Sequence, residues 1–126
     1  MALQYSEKVM DHFLHPRNLG NLENADVEVI EGNLKCGDQI QIQLKVNPET
    51  KIIEDIKFKS FGCASNIATA SIITEMAKGK SLEYAKNIKW KDVSEKVGGL
   101  PKIKEHCSIL AVETLQKAIK EYEEKK

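Results

Sequence analysis

The chain alternates between two hydrophobic periods, one typical of helices and one typical of strands. The first helical pattern spans residues 6–15 and stops before Pro16, because the residue preceding a proline avoids helical geometry. Its apolar positions lie three or four residues apart and define one face of a predicted helix. They are Val9, Met10, Phe13 and Leu14.

The clearest strand pattern covers residues 38–46. Isoleucine, leucine and valine alternate there with glutamine and lysine, which is the period of a strand with one buried and one exposed face. The sequence Asn47-Pro48-Glu49-Thr50 predicts a turn. Residues 52–61 predict the return strand, and residues 27–31 predict a short strand before both. Together they predict a small antiparallel meander of three strands.

Helical periodicity dominates the second half of the chain. One helix is predicted over residues 64–78, ended by Gly79, and Ser81 is suited to cap a short helix after it. Another helix is predicted over residues 90–97, and the final one begins near Cys107. The predicted fold is α+β, a small three-stranded antiparallel sheet packed against about four to five helices. In the helix predicted over residues 64–78, the side facing the core is predicted to carry Ile67, Ala70, Ile73 or Thr74, and Ala77.

Composition limits the classes of function. The length of 126 residues predicts a single domain, 1–126, and a hydrophobic content of 41% is ordinary for a globular protein. Basic and acidic residues balance at 19 each, which disfavours nucleic acid and membrane surfaces as partners, since both attract a basic excess. No basic region followed by an apolar stretch opens the sequence, so a reducing, cytoplasmic location is predicted.

Three cysteines are the main candidates for chemistry. Cys36, Cys63 and Cys107 are too widely spaced for a Cys-x-x-Cys motif. In a reducing compartment they are better explained as thiolates than as disulfide partners. Cys36 precedes the strand over 38–46 and Cys63 follows the return strand, so hairpin geometry brings the two to the same edge of the sheet.

Cys107 is predicted where a loop becomes the final helix. Unpaired backbone N–H groups and the helix dipole favour a thiolate at such a position. Lys104 and a protonated His106 would act in the same direction. A small, buried, apolar cysteine is the alternative interpretation.

If the three thiols meet, Asp38 and His106 complete a candidate metal site. Thiolates suit zinc or the iron of sulfide clusters. Ordinary iron–sulfur proteins use four cysteines, so the fourth ligand here is Asp38, His106 or an external group. Zinc accepts either addition to three cysteines, and the ligand set alone does not separate the two metals. A cysteine hydrolase is disfavoured, and His12 and His15 are interpreted as surface histidines rather than a metal site.

Several different short motifs occur in a characteristic order and spacing along most of the chain, from about Tyr5 to about Tyr122. In this order and spacing they resemble iron–sulfur cluster assembly scaffolds of the IscU type, which are related to the N-terminal domain of NifU. The motifs are Tyr5-Ser6-Glu7-Lys8-Val9, Asp11-His12-Phe13 with Pro16-Arg17-Asn18, Cys36-Gly37-Asp38, Phe61-Gly62-Cys63-Ala64-Ser65, Gly79-Lys80-Ser81-Leu82 and His106-Cys107-Ser108-Ile109-Leu110.

The resemblance implies a SufE/NifU-like fold and a scaffold rather than a turnover enzyme. Members assemble a [2Fe–2S] cluster and transfer it to carriers or cluster-accepting apo-proteins. By analogy, Cys36, Cys63 and Cys107 are cluster or iron ligands, and Asp38 and His106 compete for the remaining position. Cys107 matches the cysteine that accepts persulfide sulfur from a pyridoxal-phosphate cysteine desulfurase, and ferredoxin is the implied electron donor.

Partner sites are implied at two further stretches. Tyr5 matches a tyrosine that the family uses for self-association, so a homo-oligomer is implied. The family binds a chaperone of the Hsp70 type through Leu-Pro-Pro-Val-Lys, whereas this chain carries Leu100, Pro101 and Lys104 of that stretch but Lys102 in place of the second proline. The alternative is a zinc-binding sulfur relay of the SufU type. That branch lacks the histidine before the third cysteine, so His106 favours the scaffold.

Overall fold

The computed structural model describes residues 6–33, 37–96, 98 and 105–125. Over these residues it contains a three-stranded sheet and five helices, as the sequence predicts. In chain order the elements are α1 (Glu7–Leu14), β1 (Val27–Asn33), β2 (Asp38–Val46), β3 (Ile53–Phe61), α2 (Ala64–Ala77), α3 (Leu82–Lys86), α4 (Trp90–Lys96) and α5 (Glu105–Glu124).

The sheet is an antiparallel meander with strand order β1-β2-β3. In β2 the boundaries match the predicted ones, whereas β1 extends two residues further than predicted and β3 begins one residue later. The alternation in β2 has the expected consequence, because its isoleucine, leucine and valine side chains are buried. Gln39 of β2 pairs with Phe61 of β3. The start of β2 and the end of β3 therefore lie side by side, at the edge of the sheet that the strand ends form.

Helices α2 and α5 cover the apolar face of the sheet, and α1 packs on α2. The sequence predicts one inner side for α2, but the structure buries it on most sides. Ile67 is only partly buried, whereas polar residues such as Thr69 and Ser71 are fully buried. Small side chains let α1, α5 and the sheet approach α2 closely from different directions. Within the described residues, no helix is long and apolar enough to cross a bilayer.

The segment after α1 closes the outer edge of β3. Asn18 adopts a positive φ of 61°. Its carbonyl accepts a hydrogen bond from the Phe58 N–H at 3.0 Å, and the Gly20 N–H donates to the Phe58 carbonyl at 3.0 Å. The Arg17 N–H donates to the Ser71 hydroxyl at 2.9 Å. The Pro16-Arg17-Asn18 motif therefore has a structural role, because it protects backbone groups that an edge strand would otherwise expose.

His12 is expected on the surface from the sequence, and this expectation is wrong. It is 5% exposed rather than on the surface, and its Nδ1 lies 2.8 Å from the Ser71 hydroxyl. Its Nε2 is 3.9 Å from the Glu75 carboxylate. Burial is the largest influence on this imidazole and lowers its pKa, and Arg17 acts in the same direction. Met10 and Leu14, which belong to the apolar face predicted for this helix, are exposed.

The buried His12 predicts a pH dependence of stability. Because the folded state lowers the pKa of His12, the unfolded chain takes up this proton more readily. The free energy of unfolding should therefore fall as the pH decreases below the unfolded value of about 6.5. Urea unfolding between pH 7.5 and pH 5.5 measures the slope, which should be smaller in His12→Asn, with the exposed His15→Asn as the control. An equal slope in wild type and His12→Asn would assign the dependence to other groups.

Candidate metal site

Four potential ligands converge at the edge of the sheet where β2 begins and β3 ends. Asp38 is the first residue of β2, and Cys63 is the N-cap of α2, two residues beyond β3. His106 and Cys107 lie in the first turn of α5. The Cys63 and Cys107 sulfur atoms are 4.0 Å apart, although 44 positions separate the residues. Hairpin geometry predicts that Cys36 and Cys63 meet at this edge. Cys36 lies outside the described residues, but Asp38, two positions after it, lies at this edge with Cys63, and α5 adds the other two ligands.

The Ser65 hydroxyl bridges the two thiols. Its Oγ lies 3.0 Å from the sulfur of Cys63 and 3.2 Å from the sulfur of Cys107. Ser65 is fully buried in the first turn of α2. Since a hydroxyl can donate one hydrogen bond and accept others, it can serve either sulfur as donor or acceptor.

Asp38 and His106 form the second half of the site. The Asp38 Oδ2 lies 2.8 Å from the His106 Nε2, and the same nitrogen is 3.6 Å from the Cys107 sulfur. Although His106 and Cys107 are neighbours in sequence at the start of α5, their side chains approach each other. The candidate ligand atoms of Asp38, His106 and Cys107 all lie within 4.8 Å of one another.

These separations fit the binding of a metal. Ligand atoms held 2.0 to 2.3 Å from one tetrahedral ion lie about 3.3 to 3.8 Å apart. The 3.6 Å separation of His106 and Cys107 falls in this range, and the 4.0 Å separation of the two sulfurs is close to it. The 2.8 Å contact between Asp38 and His106 is shorter. A metal bound by both side chains therefore requires their hydrogen bond to open. While that hydrogen bond is intact, Asp38 and His106 compete as ligands.

The sequence leaves two interpretations of Cys107, a thiolate at a helix start and a small buried cysteine, and the structure agrees with the second. Cys107 lies at a helix start, as predicted, but it is fully buried. Burial is the main influence and raises the pKa of its thiol to about 12, although the Ser65 hydroxyl acts against the increase. Negative charge on Cys63 or Asp38 raises it further. The helix start is therefore outweighed by desolvation, which disfavours the thiolate.

Gly62 and Asn66 shape the site, and sequence reasoning assigned neither of them a role. Gly62 adopts a φ of 146°, and a Cβ added there would collide with the Asp38 carboxylate. The buried Asn66 amide donates to the Ser60 hydroxyl at 2.8 Å and to the Phe61 carbonyl at 3.0 Å. Gly62 therefore leaves room for the Asp38 carboxylate, and Asn66 fixes the end of β3 beside Cys63. Gly62 and Ser65 both belong to the motif Phe61-Gly62-Cys63-Ala64-Ser65, and this motif is the sequence signal that could have pointed to them.

Part of the predicted site lies outside the described residues. Cys36, the third predicted thiolate, is one of these, as is Tyr5. The predicted chaperone stretch also lies there, with Leu100, Pro101 and Lys104. Their predicted roles stay predictions. Asp38, Cys63, His106 and Cys107 are the predicted ligands that the structure brings together.

The fold and the motifs can be compared with known proteins. Residues 4–126 match the family described as NifU-like N terminal domain. The chain belongs to this family. As a NifU-like N-terminal domain, it has a fold shared with a nitrogen-fixing NifU-like protein (N-terminal) from Brucella abortus. That structure has a TM-score of 0.74 at 16% sequence identity and covers 96% of this chain and 95% of its own. At this identity the likeness concerns the fold alone.

Two curated relatives are more similar in sequence. The iron–sulfur cluster assembly scaffold protein IscU of Aquifex aeolicus is 53% identical over 122 residues, covering 97% of this chain and 78% of the relative. The scaffold protein of the same name from Escherichia coli (strain K12) is 47% identical over 127 residues and covers 98% of each chain. The family resemblance and the fold class predicted from the sequence are both confirmed.

Proposed function

We propose that this NifU-like domain is an iron–sulfur cluster assembly scaffold. The observation that carries the proposal is the convergence of Asp38, Cys63, His106 and Cys107 at one edge of the sheet. It gains weight from 53% and 47% identity to relatives that bear this name. The function is assembly and delivery rather than turnover of a small substrate, so the cluster is the cargo of the protein.

The proposed cargo is a [2Fe–2S] cluster. Cys36, Cys63 and Cys107 supply thiolates, because iron displaces the thiol protons when it binds, and Asp38 or His106 supplies the remaining position. A carboxylate oxygen is a harder ligand than a thiolate, so a cluster held partly through Asp38 is bound less firmly. Weak binding by one of the ligands suits a protein that transfers its cluster to other proteins.

Sulfur and electrons come from partner proteins in this proposal. A cysteine desulfurase delivers persulfide sulfur that reaches Cys107, and ferredoxin reduces it to sulfide. Cluster-accepting apo-proteins receive the product in the cytoplasm. Tyr5 contributes to self-association, and the stretch with Leu100, Pro101 and Lys104 meets a chaperone of the Hsp70 type.

A zinc-binding sulfur relay of the SufU type is the second candidate. The ligand separations at His106 and Cys107 suit a single ion of zinc as well as iron. A histidine directly before the third cysteine distinguishes the scaffold branch from this alternative, and the chain has His106 there.

Metal and sulfide analysis tests the proposal. After anaerobic incubation with a cysteine desulfurase, cysteine and ferrous iron, we expect equal amounts of iron and acid-labile sulfide on the protein and the visible spectrum of a [2Fe–2S] cluster. The cluster should move to added apo-ferredoxin. Bound zinc without sulfide, together with stimulation of the desulfurase by the zinc form, would support the relay instead.

A further inference from the structure

Metal binding turns the thiols of the site into hydrogen-bond acceptors. A cysteine that coordinates a metal has lost its proton, so its sulfur can accept hydrogen bonds but no longer donate one. Cys107 is fully buried, and a buried charge without a hydrogen-bond donor carries a large desolvation cost. Cys63 is partly exposed, so its sulfur can accept hydrogen bonds from water. Cys107 is therefore the thiolate that depends on a donor from the protein.

Among the described residues, three side chains place a polar atom near the Cys107 sulfur. They are the Ser65 hydroxyl at 3.2 Å, the His106 Nε2 at 3.6 Å and the Cys63 sulfur at 4.0 Å. His106 and Cys63 are themselves candidate ligands, and the His106 nitrogen also lies 2.8 Å from the Asp38 carboxylate. Ser65 is the neighbour that can donate to the sulfur without giving up a ligand position.

We propose that Ser65 is a positioning residue of the metal site, whose hydroxyl donates a hydrogen bond to the Cys107 thiolate and thereby strengthens metal binding and raises the reduction potential of a bound cluster. The inference rests on the proposed function where the bound group is a cluster. The hydrogen bond itself acts on any metal that Cys107 holds.

Ser65 can serve only one of the two sulfurs as a donor when both are thiolates, because a hydroxyl carries a single proton. Its Oγ lies 3.0 Å from the Cys63 sulfur and 3.2 Å from the Cys107 sulfur, so distance allows either choice. Accessibility decides between them, since water reaches Cys63 but not Cys107. Donation to Cys107 leaves neither thiolate without a donor.

The hydroxyl is held in place by the packing of α2 against α5. Ser65 is fully buried in the first turn of α2. One turn further along α2, the Thr69 hydroxyl donates to the Cys107 carbonyl at 3.3 Å. This contact joins α2 to the first turn of α5. The Ser65 hydroxyl therefore already lies beside the Cys107 sulfur before a metal binds.

A hydrogen bond at this sulfur has a consequence for redox chemistry. It withdraws negative charge from the thiolate, which stabilises a reduced cluster more than an oxidised one, because reduction adds a negative charge. Hydrogen bonds to the cysteine sulfurs are among the factors that set the potentials of iron–sulfur clusters. Loss of the Ser65 hydroxyl should therefore lower the reduction potential of the cluster.

Titration of the metal-free full chain with cobalt tests the hydrogen bond. Co²⁺ bound by thiolates shows a sulfur-to-cobalt charge-transfer band, whose energy falls when the sulfur loses a hydrogen bond. In Ser65→Ala we expect cobalt binding to weaken by roughly tenfold, as is typical when the hydrogen-bond partner of a metal ligand is removed. The charge-transfer band should also move to lower energy, which a loss of packing alone would not cause.

Ser108→Ala is the matched control. Ser108 is also fully buried, in the first turn of α5 directly after Cys107. Its hydroxyl has no hydrogen-bond partner in the part of the chain that the structure describes. Both substitutions remove one buried hydroxyl close to the site, but only that of Ser65 contacts the sulfurs. Ser108→Ala should leave cobalt affinity and the band unchanged, and urea unfolding of both variants measures whether the fold is kept.

A measurement on the wild-type chain does not depend on the folding of a variant. The cobalt–sulfur stretching frequency, followed by resonance Raman spectroscopy, should shift when H₂O is replaced by D₂O, because the donated proton is exchanged. The shift should be smaller in Ser65→Ala and unchanged in Ser108→Ala. Absence of any shift in wild type would overturn the proposal.

The variants can contradict the proposal in two further ways. Cobalt affinity and band energy in Ser65→Ala that equal those of wild type would show that the hydroxyl does not serve the sulfur. An equal loss of affinity in Ser65→Ala and Ser108→Ala, with the band at its wild-type energy, would assign the effect to packing. The titration uses the metal alone, without sulfide or desulfurase. Its failure is therefore distinguishable from failure of cluster assembly, which iron and sulfide analysis measures separately.

Discussion

Gly62→Ala is expected to lower the free energy of unfolding by about 3 kcal/mol, combining backbone strain with overpacking. The φ of 146° at this position is one that side chains other than glycine rarely adopt. The new Cβ would also meet the Asp38 carboxylate and lie 2.8 Å from the Gly37 carbonyl. Since Gly37 directly precedes β2 and Asp38 is its first residue, the substitution should displace Asp38 and reduce the iron and sulfide that the protein assembles.

Gly79→Ala is the matched control for this prediction. Gly79 also has a positive φ, of 80°, but no atom outside its chain neighbours lies within 4 Å of an added Cβ. Its substitution carries only the backbone penalty, about 1 kcal/mol. Urea unfolding monitored by circular dichroism measures both losses, and iron and sulfide analysis measures assembly. Equal losses in the two variants, with assembly intact in Gly62→Ala, would mean that the space beside Asp38 is not restricted.

The sequence predicts the framework of the site because that framework follows from periodicity and strand connection. The alternation over residues 38–46 is enough to define β2 and its buried face, and a short turn makes β3 its antiparallel neighbour. These two facts predict that Cys36 and Cys63 lie at one edge of the sheet, and Asp38, just after Cys36, is found at that edge. Local signals likewise place Cys107 in the first turn of the last helix.

Burial at the site could not be predicted in the same way. The pKa of Cys107 depends on how closely α2 and α5 pack around it, which no local pattern contains. His12 is buried for a similar reason, since the small Ser71 on α2 leaves room for its ring. The bridging position of Ser65 requires two thiols that are distant in sequence to be held 4.0 Å apart. Such properties arise from packing between elements, so they become visible only in three dimensions.

Asp38→Ala is expected to slow release of the cluster by roughly tenfold, which corresponds to about 1.4 kcal/mol in the activation barrier. Two physical effects act in the same direction. In the proposed site, removing the carboxylate removes an oxygen ligand that is harder than thiolate and so binds cluster iron less firmly. It also removes the 2.8 Å partner of the His106 imidazole, which then becomes available as a firmer nitrogen ligand.

The decisive measurement for Asp38 is the rate of cluster transfer from anaerobically reconstituted protein to apo-ferredoxin, followed by visible circular dichroism. Asp55→Ala provides the control, because Asp55 lies on β3 and its carboxylate is 3.4 Å from the Lys78 ammonium group rather than near the site. The double variant, Asp38→Ala combined with His106→Ala, tests whether the imidazole replaces the carboxylate. Release should then return toward the wild-type rate, because the firmer ligand is gone. Transfer from Asp38→Ala at the wild-type rate would show instead that the carboxylate does not control release, and the thiolates would then set the lifetime of the cluster.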